Sequence, residues 1–246
     1  MSVLVEACVD SVVSAVAAER GGATRLELCA SLADGGTTPS AGMLAAVKAA
    51  VRIPVFVIAR PRGGAFVHSA EEIGVMRLDI EAARMLGADG VAAGVLTPNG
   101  RIDAEQLHAL VAAAGNLPVT FHRAFDLVRD RDRALDTLIE LGVKRVLTSG
   151  GAGTALEGVA GIATLVKRAA GRIEVMAGGG VREEHVQELV HRTGVREVHV
   201  RGTRTLSAGA APNDRVRLRK PLPTDESTWE ETDESRIREF VRLANG

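Results

Sequence analysis

Cys8 and Cys29 are the only two cysteines in a chain of 246 residues, and each follows a glutamate by two positions, in LVEACVD (4–10) and RLELCAS (25–31). A thiolate pair suits a soft metal ion, which takes few ligands and prefers sulfur. The same residues also suit the role of small apolar side chains in a packed interior, and their types alone leave both readings open. Other chemistry-bearing residues follow. Arg60-Pro-Arg62-Gly63-Gly64 places two guanidiniums around a rigid proline beside exposed backbone donors, a clamp for an anion. The alternative use of Arg60 and Arg62 is to brace carboxylates such as Asp79. Thr120-Phe-His122-Arg123-Ala-Phe-Asp126 joins a group that titrates near neutral pH to a cation and a carboxylate, and Glu27 or Asp126 would serve His122 as acid–base partner. Ser149, Gly150 and Gly151, and later Gly179 and Gly180, precede helical segments, where backbone N–H groups favour phosphate or carboxylate.

Several chemistries are excluded. The chain has four lysines, Lys48, Lys144, Lys167 and Lys220, and none falls at the C-terminal end of a strand pattern, which argues against Schiff-base chemistry. No histidines have zinc-ligand spacing, and His108, His185 and His191 fall in helical patterns that should face solvent. The formal charge is −1 and aromatic residues make up 2%, with no tyrosine, so neither a basic field nor a stacking platform invites nucleic acid. No apolar run approaches the roughly 20 residues of a membrane span. The first residues enter a strand pattern at once, without a basic segment and apolar core of the signal-peptide kind. With two cysteines and no disulfide framework, a cytoplasmic protein is expected. Association into a homo-oligomer, a dimer or tetramer, is expected as well.

These residues need strand ends to position them. Strand patterns run over Val3–Cys8, Arg25–Cys29, Val55–Arg60, Gly90–Val95, Val119–His122, Arg145–Thr148, Ile173–Ala177 and Glu197–Val200. Helical spacing separates them, as in Ile73, Met76, Ile80 and Ala83. Ser69 with Glu72, and Thr154 with Glu157, have capping-box spacing. Gly87, Gly115, Gly142, Gly171 and Gly194 stand where helices should end. Eight strands alternating with helices predict an α/β fold, a (β/α)8 TIM-like barrel in a single domain, with chemistry at the C-terminal strand ends. Alternation puts Glu6 with Cys8 on one face and Glu27 with Cys29 on another, on neighbouring strands about 4.8 Å apart. The barrel body is expected over residues 1–200. Residues 201–246 read as an irregular segment ending in a closing helix that carries Ile237, Phe240, Val241 and Leu243. Within it a basic run, Arg215 to Lys220, precedes an acidic one, Asp225 to Glu234, and both read as solvated surface.

EACVDS (6–11), RLELCASLADGGTTPS (25–40), RPRGGAF (60–66), TFHRAFD (120–126), LTSGG (147–151) and VMAGGGV (175–181) together resemble the CutC family of copper homeostasis proteins. The resemblance implies a TIM-like barrel, a cytoplasmic protein of copper handling, and Cu(I) held by Cys8 and Cys29. Phe56, Ala59 and Arg201 depart from that pattern. The alternative is a barrel enzyme acting on a phosphorylated or carboxylated small molecule. It would use His122, Asp126 and Glu27 for catalysis, and Arg60, Arg62, Arg123, Ser149, Gly150, Gly151, Gly179 and Gly180 to hold the anion.

Overall fold

The computed structural model describes residues 2–209 and 227–246. Eight strands run in chain order: β1 (Leu4–Val9), β2 (Arg25–Leu28), β3 (Val55–Ile58), β4 (Gly90–Ala93), β5 (Val119–Phe121), β6 (Arg145–Thr148), β7 (Glu174–Gly178) and β8 (Glu197–Val200). Neighbours pair in parallel and β8 returns to β1, so the sheet closes. Helices α1 (Val12–Arg20), α2 (Ala41–Ala50), α3 (Ala70–Met85), α4 (Ala104–Ala114), α5 (Arg131–Glu140), α6 (Val159–Ala169) and α7 (Glu183–Thr193) connect the strands, and α8 (Glu234–Asn245) ends the chain. This is the (β/α)8 barrel expected from the sequence.

Alternation along each strand separates two environments. Val5, Ala7 and Val9 of β1, Leu26 and Leu28 of β2, and Val198 and Val200 of β8 are buried in the apolar layer that meets the helices. Each large side chain sealed there contributes about 1.5–3 kcal/mol. The residues between them turn inward and are polar. Arg25 hydrogen-bonds to Glu6 and Glu197, and Arg145 also hydrogen-bonds to Glu197. Both guanidiniums stand over the Phe56 ring, that of Arg25 5.1 Å and that of Arg145 5.5 Å from its centroid. Buried ions are tolerated only when paired, and here two arginines meet two carboxylates. Gly90 makes room for the ring, since a Cβ there would stand 2.4 Å from Cζ of Phe56.

Helix boundaries follow the sequence signals closely. Ser69 and Glu72 form a reciprocal capping box at the start of α3. The five glycines expected at helix ends all hold positive φ. Thr154 and Glu157 also exchange capping bonds, but these close a turn ahead of α6, which begins only at Val159. Of the three helical histidines, His108 and His191 are exposed and His185 is half-buried.

The segment after β8 differs from its reading as irregular. An antiparallel hairpin, β9 (Thr203–Ser207) with β10 (Thr228–Thr232), packs on α1, where the Thr232 N–H donates to Ser14 Oγ at 3.1 Å. Of its strand residues only Thr232 is buried, so it lacks the apolar alternation by which strands are read. The basic run from Arg215 to Lys220, with Asp225, lies outside the described residues. The closing helix is present as α8: Ile237 and Phe240 are buried, and Asn245 accepts a hydrogen bond from the Val3 N–H at 2.7 Å.

Candidate functional site

The register of β1 with its two neighbours builds the site. Cys8 stands opposite Glu27, and Glu6 stands opposite both Arg25 and His199. Cys29 follows β2 directly, and its N–H is held by the carbonyl of Val9 at 2.9 Å. The two sulfurs therefore lie 3.7 Å apart, in contact and not bonded. Glu27 Oε2 is 3.7 Å from Cys8 Sγ and 3.6 Å from Cys29 Sγ. His199 Nδ1 is 2.7 Å from Glu6 Oε1, which leaves Nε2 toward Glu27, 3.9 Å away. Cys8, Glu27 and His199 each bring one ligand atom to within 4.8 Å of the others.

These groups set one another's protonation. The hydrogen bond with Cys29, aided by His199, lowers Cys8 to about 5, against the penalty of burial. The same sulfur pairing, with burial added, pushes Cys29 well above an ordinary thiol. Burial raises Glu27 to about 8, and nearby Cys8 and Glu6 add to the rise. His199 is raised well above 6.5: burial opposes its charge, but Cys8, Glu6 and Glu27 outweigh burial. Burial would raise Glu6 too, yet His199 and Arg25 hold it at about 2. At neutral pH the interior thus holds thiolate and carboxylates at Cys8, Glu6 and Glu197, balanced by His199, Arg25 and Arg145.

Above this floor lies a cavity of about 340 Å³, lined by Cys8, Glu27 and His199 together with Arg60, His122, Arg123, Gly179, Gly180 and Arg201. Ile58, Phe66 and Leu147 supply apolar walls. A larger groove of about 450 Å³ beside α4 and α5 carries no cysteine or histidine.

The residues singled out in the sequence fall into three groups. Cys8, Cys29 and Glu27 come together: Cys8 and Glu27 line the cavity, and Cys29, 1% exposed, touches both from outside the lining. Arg60, His122, Arg123, Gly179 and Gly180 line the cavity, but with different freedom. Arg60 donates to the carbonyls of Asp34, Gly36 and Gly64, each at 2.9 Å, and stacks on Phe66. His122 is buried with its ring against Gly94, where a Cβ would come within 2.4 Å of Cε1. Its Nδ1 accepts from the Ala124 N–H at 3.2 Å, and burial lowers its pKa to about 3.

The third group is occupied by the chain itself. Asp126 does not meet His122. Its carboxylate takes the N–H groups of Ser149 and Gly151, the hydroxyl of Thr148 and the guanidinium of Arg123. The anion cradle after β6 is thus filled by an internal carboxylate, and Gly150 N–H goes to Thr148 Oγ1 at 2.9 Å. Arg62 donates to Glu72 and to the carbonyls of Gly63, Ala65 and Val67, away from the cavity lining. It braces the capping glutamate of α3 and not Asp79.

Two members of the floor carry no assigned site role in the sequence reading. His199 stands on the last strand, and the signal for it was its alternation with Glu197, which turns both inward. Glu6 shares its strand face with Cys8 in the first motif.

Comparison with known proteins agrees with this arrangement. The model of the CutC family matches residues 3–204. The human copper homeostasis protein cutC homolog is 48% identical over 242 residues, covering 98% of this chain and 89% of that protein. A CutC family protein of Xylella fastidiosa is 48% identical over 241 residues, 97% of this chain and 87% of its own. The crystal structure of CutC from Streptococcus agalactiae superposes with a TM-score of 0.77 at 37% identity, over 80% of this chain and 97% of that one. Thiamine phosphate pyrophosphorylase from Pyrococcus furiosus, 16% identical with a TM-score of 0.62 over 98% of this chain and 95% of its own, shares the barrel alone. A match that spans the whole barrel, from Cys8 at its first strand to His199 at its last, places the chain in the CutC family.

Proposed function

We propose that this protein handles copper in a reducing, cytoplasmic setting, binding Cu(I) between Cys8 and Cys29 with His199 as a third donor. The sulfur separation carries the reading. Metal–sulfur bonds of about 2.3 Å at trigonal angles put two sulfurs about 4 Å apart, close to the 3.7 Å found here. Imidazole is the softer of the two remaining donors, and the Glu6 hydrogen bond to Nδ1 orients His199 in the manner of metal-ligating histidines. The relatives' names refer to copper homeostasis, which is consistent with this use of the site. A Cys8→Ser, Cys29→Ser double variant is expected to lose Cu(I) binding measured against a competing chelator. Unchanged affinity would sink the reading.

A second reading, an enzyme for a phosphorylated or carboxylated small molecule, is favoured by Glu27. Its carboxyl, raised to about 8, is protonated at neutral pH and faces a cavity carrying Arg60, Arg123 and Arg201. Thermal shift of the metal-free protein against such metabolites tests it: stabilisation that disappears in Glu27→Gln supports it, and no shift across the panel removes it.

A further inference from the structure

The cavity is far larger than a copper ion, and its walls carry chemistry that an ion does not use. At about 340 Å³ it falls in the range of small-molecule sites. Its floor is soft, with Cys8 and His199. Away from the floor Arg123 lies against Gly179, where a Cβ would stand 2.8 Å from the guanidinium carbon. Gly179 and Gly180 hold φ of +100° and +65°, and among the described residues their N–H groups have no acceptor. Such exposed N–H groups favour an anion, and the loops after the seventh and eighth strands are where barrels commonly bind phosphate. Arg201 stands on the β8 side of the same cavity, hydrogen-bonded to exposed Glu230 at 2.7 Å.

Two buried donors also lack partners. Arg60 and His122, each 5% exposed, line the cavity, and Arg60 Nε and His122 Nε2 make no hydrogen bond. Because Nδ1 of His122 accepts from a backbone N–H, the neutral ring carries its proton on Nε2. Buried donors without acceptors are rare in native structures. Ile58, Phe66 and Leu147 lie among these polar groups as an apolar lining. The ligand that matches has a soft end, an organic body and an anionic end.

We propose that copper enters this cavity as the Cu(I) complex of a small anionic thiol, metal toward Cys8 and Cys29, carboxylate toward Arg123, Gly179 and Gly180. The proposal rests on the copper reading above and names the form of the cargo. Delivery is ligand exchange without redox change. The bond from copper to one carrier thiolate breaks as the bond to Cys8 sulfur forms, and that thiolate leaves with its electron pair. The second carrier thiolate stays on the metal with its carboxylate held toward Arg123, so the retained complex carries one thiol per copper.

The test supplies one equivalent of Cu(I) in excess glutathione or in excess glutathione dimethyl ester, which has the same body with its carboxylates capped. Copper and thiol retained by the full-length protein are counted after rapid desalting, across a range of thiol concentrations. Glutathione is expected to be retained about tenfold more tightly than its ester, the ratio one charge-assisted contact supplies. In Arg123→Gln the ratio should fall to about one. Arg201→Gln is the second variant, because Arg123 also braces Asp126, and it should reduce the ratio. Equal retention of the two thiols, or copper retained with no thiol, overturns the proposal while leaving the copper reading intact. A protein that takes no Cu(I) from a competing chelator overturns both.

Discussion

Glu6 joins His199 to Arg25: one carboxylate oxygen lies 2.7 Å from Nδ1 of the imidazole, and the other accepts from the guanidinium. The sulfur site at the mouth and the ion network inside the barrel therefore share a side chain that is 2% exposed. Glu6→Gln keeps the shape and removes the charge, leaving Arg25 and His199 short of a buried counter-ion. Removing one partner of a buried pair costs about 3–5 kcal/mol. Urea unfolding at pH 7 should show a loss of that order, and a loss below about 1 kcal/mol would mean that water already screens the network.

The two thiols should titrate far apart. Cys8 is lowered to about 5 and Cys29 is raised. A lowered thiol is a thiolate above its midpoint, so alkylation of Cys8 should quicken as pH rises through about 5 and level off near neutrality. Cys29 should stay unmodified there. The hydrogen bond from Cys29 is the largest cause of the Cys8 shift, so Cys29→Ala should move the Cys8 midpoint upward. Mass spectrometry of iodoacetamide-treated protein over a pH series reads both residues. Equal labelling at pH 6 would contradict the assignment.

Phe56 and Gly90 form a matched pair in the barrel interior. A Cβ at position 90 would meet three atoms of the ring within 2.6 Å, and overpacking of this kind costs about 1–3 kcal/mol. Gly90→Ala should lower the unfolding midpoint accordingly, and adding Phe56→Leu should recover part of the loss. Recovery is the discriminating result, since a backbone effect of alanine would persist in the double variant.

The barrel was legible because its strands, buried on both faces, leave short β-branched runs between helical spacings, and because glycine marks most helix ends. Period-two alternation on neighbouring strands allowed the two Glu–Cys pairs to converge, and the sulfur contact itself depends on the register that sets Cys8 opposite Glu27. Other features depend on contacts between distant segments. Nothing in Thr148-Ser149-Gly150-Gly151 says whether its N–H groups await a ligand or Asp126, twenty-two or more residues upstream. Arg62 likewise found Glu72 through the α3 cap. His199 meets Glu6 only because the first and last strands pair, across a separation of 193 residues.

Copper uptake should release protons, with a sign fixed by the same geometry. In the metal-free protein Cys29 and His199 are both raised well above their ordinary values, so both carry a proton at pH 7. Ligation requires each to give it up, whereas Cys8 has already done so. Binding of Cu(I) should therefore release about two protons and strengthen as pH rises. Calorimetry in buffers of different ionisation enthalpy counts them. His199→Gln should release about one fewer, because glutamine brings no proton to the site. A count unchanged by that substitution would remove His199 from the ligand set while leaving the two sulfurs in place.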